Sequence, residues 1–128
     1  IAVLDKAKHF FLSLGFSEIT FSSPEEHDRI IAYTSQLAHV VSSAYVKSPS
    51  AEVRKGFSAG SYKDMTRVAK LNEEMWTELF LENKDNLAFE IDTLIKNLQQ
   101  YKTALENAES KNRTSLLTEG KTKKKQVG

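Results

Sequence analysis

The sequence predicts an all-α domain: a helical bundle of long amphipathic helices that pairs with a second copy. Three observations point there. Apolar residues recur at three- and four-residue steps along nearly the whole chain. No segment shows strict two-residue alternation bounded by turn dipeptides, the mark of a half-buried strand. The chain has 128 residues, 40% apolar and 27% charged, the size and make-up of one ordinary domain.

The elements follow in order. Val3, Leu4, Ala7, Phe10, Phe11 and Leu14 line a first helix, and Gly15 stops it. Ser23-Pro24-Glu25-Glu26 starts the second: Ser23 caps free amides, Pro24 suits the first helical position, and the glutamates oppose the positive helix end. That pattern runs to about Lys47, where Ser48-Pro49 breaks it. A shorter helical stretch covers Glu52 to Phe57 and closes near Gly56 and Gly60, and another helix covers Ser61 to Ala69. Asn72-Glu73-Glu74 restarts the chain, with Met75, Trp76, Leu79 and Phe80 as its apolar face. Leu87, Ile91, Leu94, Ile95, Leu98, Tyr101 and Leu105 then form an unbroken stripe from about Lys84 to Ala108. A last amphipathic segment around Leu116 and Leu117 leads into lysines. The stripe has two readings: it pairs with a second copy, or it packs on the helix that begins at Pro24.

Residues 1–128 therefore read as one helical domain with a basic tail at about 119–128. The tail holds Lys121, Lys123, Lys124 and Lys125 against Glu119, a local +3; the overall +1 then leaves about −2 for the body. Four lysines suit a solvated helix end, where cations also favour the C-terminal dipole. The body lacks the basic face that nucleic-acid phosphates would need.

Several functions are excluded. Without cysteine there is no disulfide framework or thiolate metal site, and nothing suggests an oxidising compartment; the expectation is cytoplasmic. Apolar runs fall far short of the roughly 20 residues that span a bilayer, so no membrane role is expected. Ile1 to Lys8 is amphipathic, not a signal peptide. The chain opens without Met inside a helical pattern, as expected of a piece of a longer polypeptide. Gly15, Gly56, Gly60, Gly120 and Gly128 fit neither a G-x-G-x-x-G nor a Walker-type loop, so no cofactor is expected on this chain. His9, His27 and His39 show no metal-ligand spacing.

Two constellations could carry function. Ser35, His39 and Ser42, flanked by Gln36 and Ser43, place a polar strip in the middle of an otherwise apolar helix. Such groups cost stability if buried alone, so the strip faces solvent, a second helix or a ligand. The second is Gly60-Ser61-Tyr62-Lys63-Asp64-Met65-Thr66-Arg67. Free amides at a helix start favour an anion. Arg67 can grip a carboxylate with two hydrogen bonds, and Asp64 at i−3 can hold it. The plainer readings are a surface Asp64–Arg67 pair, an ordinary helical His39 and a core Trp76. From the residues alone, the chain is a self-associating helical domain with one anion site built from His39 and Arg67.

At these residues the sequence resembles the C-terminal helical domain of prephenate dehydrogenases. The resemblance is carried by Ser23-Pro24-Glu25-Glu26-His27-Asp28-Arg29-Ile30-Ile31-Ala32 with Thr34-Ser35-Gln36-Leu37-Ala38-His39. It continues through Gly60-Ser61-Tyr62-Lys63-Asp64-Met65-Thr66-Arg67-Val68-Ala69, Glu74-Met75-Trp76 and Leu81-Glu82-Asn83-Lys84, covering roughly Phe21 to Leu105. It implies part of a homodimeric tyrosine-biosynthesis enzyme that oxidatively decarboxylates prephenate or arogenate with NAD or NADP. The nucleotide and the catalytic histidine belong to a Rossmann domain outside these residues, so this fragment alone is expected to be inactive. The resemblance further implies that Arg67 binds a carboxylate of the dicarboxylate substrate and that Asp64, of the same chain or of the partner subunit, orients it. Ser35, Gln36 and His39 would line the cleft, and Trp76 would support its wall. The chain departs from the family's S-H-x-P-H pattern at Gln36 and Ala38; Gln36 keeps hydrogen-bonding capacity but cannot titrate. No regulatory domain is expected in the residues after Leu105. The alternative is a free-standing helical dimer that binds a small anion or a partner protein.

Overall fold

A computed structural model describes residues 2–57, 59–107 and 110–128. Among them are seven α-helices and no strand. Helix α1 (Ala2–Ser13) ends where its sequence says it must. Gly15 takes φ +97°, its N–H donates to the Leu12 carbonyl, and the Phe16 N–H donates back to Phe11. This double bond closes the helix, and the Phe11 and Phe16 rings meet edge-on at 5.8 Å across it. Ile1, placed in this helix by its pattern, lies outside the described residues.

Helix α2 (Pro24–Ile31) starts on the predicted cap, with Ser23 Oγ accepting from the Glu26 N–H at 3.1 Å. Its continuation is not regular. Residues Ala32–Gln36 form one π turn, in which the Leu37 N–H reaches back five residues to the Ala32 carbonyl. Helix α3 (Leu37–Tyr45) follows. Ser48 and Pro49 then break the chain as expected, but the helix predicted over Glu52 to Phe57 does not form. A single 3-10 turn, Pro49–Ala51, takes its place, capped by Ser48 Oγ. Gly56 at φ +90° then reverses the backbone.

Helix α4 (Gly60–Thr66) stops three residues before the predicted end at Ala69, whose N–H closes a turn on the Thr66 carbonyl. Asn72 caps α5 (Glu73–Glu82) through the Met75 N–H at 2.9 Å. Asn83 forms a one-residue elbow into α6 (Lys84–Glu106). The predicted end of that helix, Ala108, lies outside the described residues. Helix α7 (Ser110–Val127) folds back on α6, with the Tyr101 hydroxyl donating to the Leu116 carbonyl. No helix among the described residues is long and apolar enough to cross a membrane.

Helix α6 packs across α2, the π turn and α3. The buried apolar residues are Ala32, Leu37, Leu87 and Ala104, joined by the polar Gln36 and Ser42. That is a small core. A compact chain of 14.4 kDa should expose roughly 6,800 Å² by the usual scaling of surface with mass. This chain exposes 10841 Å². The difference divides the α6 stripe between its two readings. Leu87 is buried and Ile91 and Leu94 are half-buried within the chain, whereas Ile95 and Leu98 each remain 58% exposed. An apolar face of this extent is the kind that a second protein surface covers.

Candidate functional site

The predicted site residues divide between two places. His39 on α3 and Trp76 on α5 come together: their rings stack at 3.7 Å with 28° between planes. Phe80, one turn along α5, leans on Trp76 at 5.5 Å. These rings form one wall of a cleft of about 310 Å³ between α3 and α5, which Val40, Ser43, Lys47 and Glu73 also line.

The orientation of His39 follows from the backbone before it. Its Nδ1 lies 2.9 Å from the Ser35 carbonyl oxygen, which can only accept, so Nδ1 carries a hydrogen. Nε2 is left to accept a hydrogen bond from a ligand. Ser35 thus serves the site through its carbonyl, from within the π turn.

Gln36, expected at the substrate, is instead turned into the fold and is 5% exposed. Its Nε2 donates to the Leu79 carbonyl at 3.0 Å, and its Oε1 accepts from Asn83 Nδ2 at 3.0 Å. The reason is the π turn, which shifts Gln36 and Leu37 round the helix from the positions a regular 3.6-residue repeat assigns them. Ser42 is buried as well, and its hydroxyl has no partner among the described residues. The polar strip read from the sequence is therefore not one continuous face.

Arg67 and Asp64 lie elsewhere. Arg67 follows the last residue of α4, and both side chains are exposed. Among the described residues no ion pair joins them, and neither lines the His39–Trp76 cleft. The cation that does line it is Lys47, in the turn that follows α3. Sequence reasoning missed Lys47, which stands at the Ser48-Pro49 break where the helical pattern ends. It also assigned no role to Asn83, which stands in the Leu81-Glu82-Asn83-Lys84 segment between two helical patterns. Among the described residues no cluster of three His, Asp or Glu could hold a metal ion. Nor, among the described residues, is there a strand or a glycine-rich turn between a strand and a helix.

The chain can be compared with known proteins on this basis. The family model for the prephenate dehydrogenase dimerization domain matches residues 23–119, which include His39, Arg67 and Trp76. Prephenate dehydrogenase of Bacillus subtilis strain 168 is 30% identical over 95 residues, 70% of this chain and 26% of that protein. Cyclohexadienyl dehydrogenase of Zymomonas mobilis is 35% identical over 94 residues, 68% of this chain and 32% of that protein. The chain thus spans about a third or less of these curated relatives. Among solved structures, prephenate dehydrogenase of Aquifex aeolicus in complex with hydroxyphenyl propionate and NAD+ superimposes with a TM-score of 0.72 at 31% identity, over 87% of this chain and 41% of that one. The arogenate dehydrogenase of Synechocystis shares the fold over 99% of this chain and 48% of that one, with a TM-score of 0.82 at 21% identity. The chain belongs to the prephenate dehydrogenase dimerization-domain family.

Proposed function

We propose that this chain is the dimerisation and substrate-binding domain of an NAD- or NADP-dependent prephenate or arogenate dehydrogenase of tyrosine biosynthesis. In the case of prephenate, the reaction is oxidative decarboxylation to 4-hydroxyphenylpyruvate. The observation that carries this reading is the stack of His39 on Trp76. It joins two separate sequence motifs into a flat aromatic wall with one free imidazole nitrogen. Such a wall suits a six-membered ring that bears polar groups, and the Aquifex aeolicus relative was crystallised with hydroxyphenyl propionate, a ring carrying a carboxylate.

Each residue then has a task. Arg67, which lies outside the His39–Trp76 cleft of the single chain, neutralises a carboxylate of the dicarboxylate substrate in the assembled enzyme, and Asp64, of the same chain or of the partner subunit, orients the guanidinium. His39 offers Nε2 to the substrate, Ser35 holds its ring in place, and Trp76 bounds the cleft. Binding in this manner contributes orientation and charge neutralisation, the part of catalysis that a helical scaffold supplies. The nucleotide, held outside these residues, supplies the hydride acceptor. The same reading expects a cytoplasmic homodimer.

The test is Arg67→Ala in a full-length enzyme that contains this domain. Loss of a charge-assisted pair worth about 1.5–3 kcal/mol should raise KM for prephenate or arogenate by roughly 10- to 150-fold. An unchanged KM would refute the assignment of Arg67.

A further inference from the structure

Gln36 and His39 lie one turn apart on one side of the α3–α5 seam, and Leu79 and Trp76 lie one turn apart on the other. The hydrogen bond from Gln36 Nε2 to the Leu79 carbonyl (3.0 Å) and the His39–Trp76 stack (3.7 Å) are therefore successive contacts of one seam. The Leu79 carbonyl is one of the last four of α5, which have no partner within the helix, so Gln36 caps that end. Gln36 is itself clasped. Asn83 Nδ2 donates to Gln36 Oε1 at 3.0 Å and to the Asp28 carbonyl at 2.8 Å, while Asn86 Nδ2 donates to Asn83 Oδ1 at 2.8 Å. The clasp ties together α2, the π turn, the end of α5 and the start of α6.

We propose that Gln36, held by Asn83, is the positioning residue of this site: by capping α5 it sets the register in which His39 stacks on Trp76. An apolar residue here would remove the donor to the Leu79 carbonyl and the acceptor of one Asn83 hydrogen bond, leaving Asn83 tied to Asp28 alone and the seam free to slide. The consequence for turnover rests on the function proposed above; the consequence for the stack does not.

Trp76 is the sole tryptophan in the sequence, so the indole fluorescence comes from this side chain. The His39 ring covers one face of the indole and should limit its contact with an added quencher. His39→Ala should therefore raise the acrylamide quenching constant of Trp76, and its value marks the uncovered face. Gln36→Met conserves volume and removes both hydrogen bonds. It should lower the ratio of stacked to unstacked rings about tenfold, the effect of one lost hydrogen bond. The quenching constant should move toward the His39→Ala value while far-ultraviolet circular dichroism keeps its helical signal. Gln36→Glu is a second isosteric test: its carboxylate still accepts from Asn83 but cannot donate to Leu79, so the constant should shift the same way. An unchanged quenching constant in either helical variant overturns the proposal. So does unfolding of both, which would make Gln36 a folding residue only. If the constant responds as expected but the full-length wild type turns over neither prephenate nor arogenate, the proposed function fails and the positioning role stands.

Discussion

Leu98 provides a quantitative test of how the exposed α6 stripe is covered. The residue keeps 58% of its surface exposed in the single chain. Full burial of a leucine side chain is worth about 1.5–3 kcal/mol, so covering the remainder is worth about 1–2 kcal/mol per copy. In a two-fold dimer the same patch is used by both subunits and the contribution counts twice, about 2–4 kcal/mol. At about 1.4 kcal/mol per tenfold change, Leu98→Ala should weaken dimerisation by roughly 30- to 700-fold. Leu98→Glu should weaken it further, because a carboxylate would have to be desolvated at the interface. Sedimentation velocity across a dilution series measures the dissociation constant directly, and circular dichroism checks that the helices persist. A variant that remains helical and dissociates at the wild-type concentration would refute the assignment of this stripe to the dimer. The roughly 4,000 Å² of excess surface would then need another cover.

Two further predictions concern the frame around the site. Ser23→Ala removes the acceptor of the Glu26 N–H and should cost about 1 kcal/mol, seen as a lower midpoint in urea with an unchanged slope. Truncation after Gly120 removes the exposed lysine-rich end of α7 but keeps the Tyr101–Leu116 bond, so stability should stay within about 0.5 kcal/mol in the same titration.

The elements that were legible in the sequence are those whose cause lies within a few residues. Gly15 ends α1 through bonds to Leu12 and across it from Phe16 to Phe11; Ser23 and Asn72 cap α2 and α5 through amides three positions ahead. Such contacts close within one turn, so the residue type and its spacing carry the information. The departure at Glu52 to Phe57 is local as well: a 3-10 turn at Pro49–Ala51 and the left-handed Gly56 stand where the apolar spacing predicts a helix.

The sequence by itself determined that this protein is all-α, where most helices start and stop, and which two stretches hold the candidate site residues. The tertiary structure alone decided where those stretches are placed. The π turn leaves no mark in the apolar repeat. It redirects Gln36 toward a carbonyl on another helix, at the end of α5, and leaves Ser35 to hold His39. Whether His39 faces Arg67 or Trp76 depends on how α3, α4 and α5 pack, an energy summed over residues far apart in the chain. The division of the α6 stripe has the same origin. Its period shows only that one face is apolar; packing covers Leu87 within the chain and leaves Ile95 and Leu98 bare, because α2, the π turn and α3 together bury only part of it.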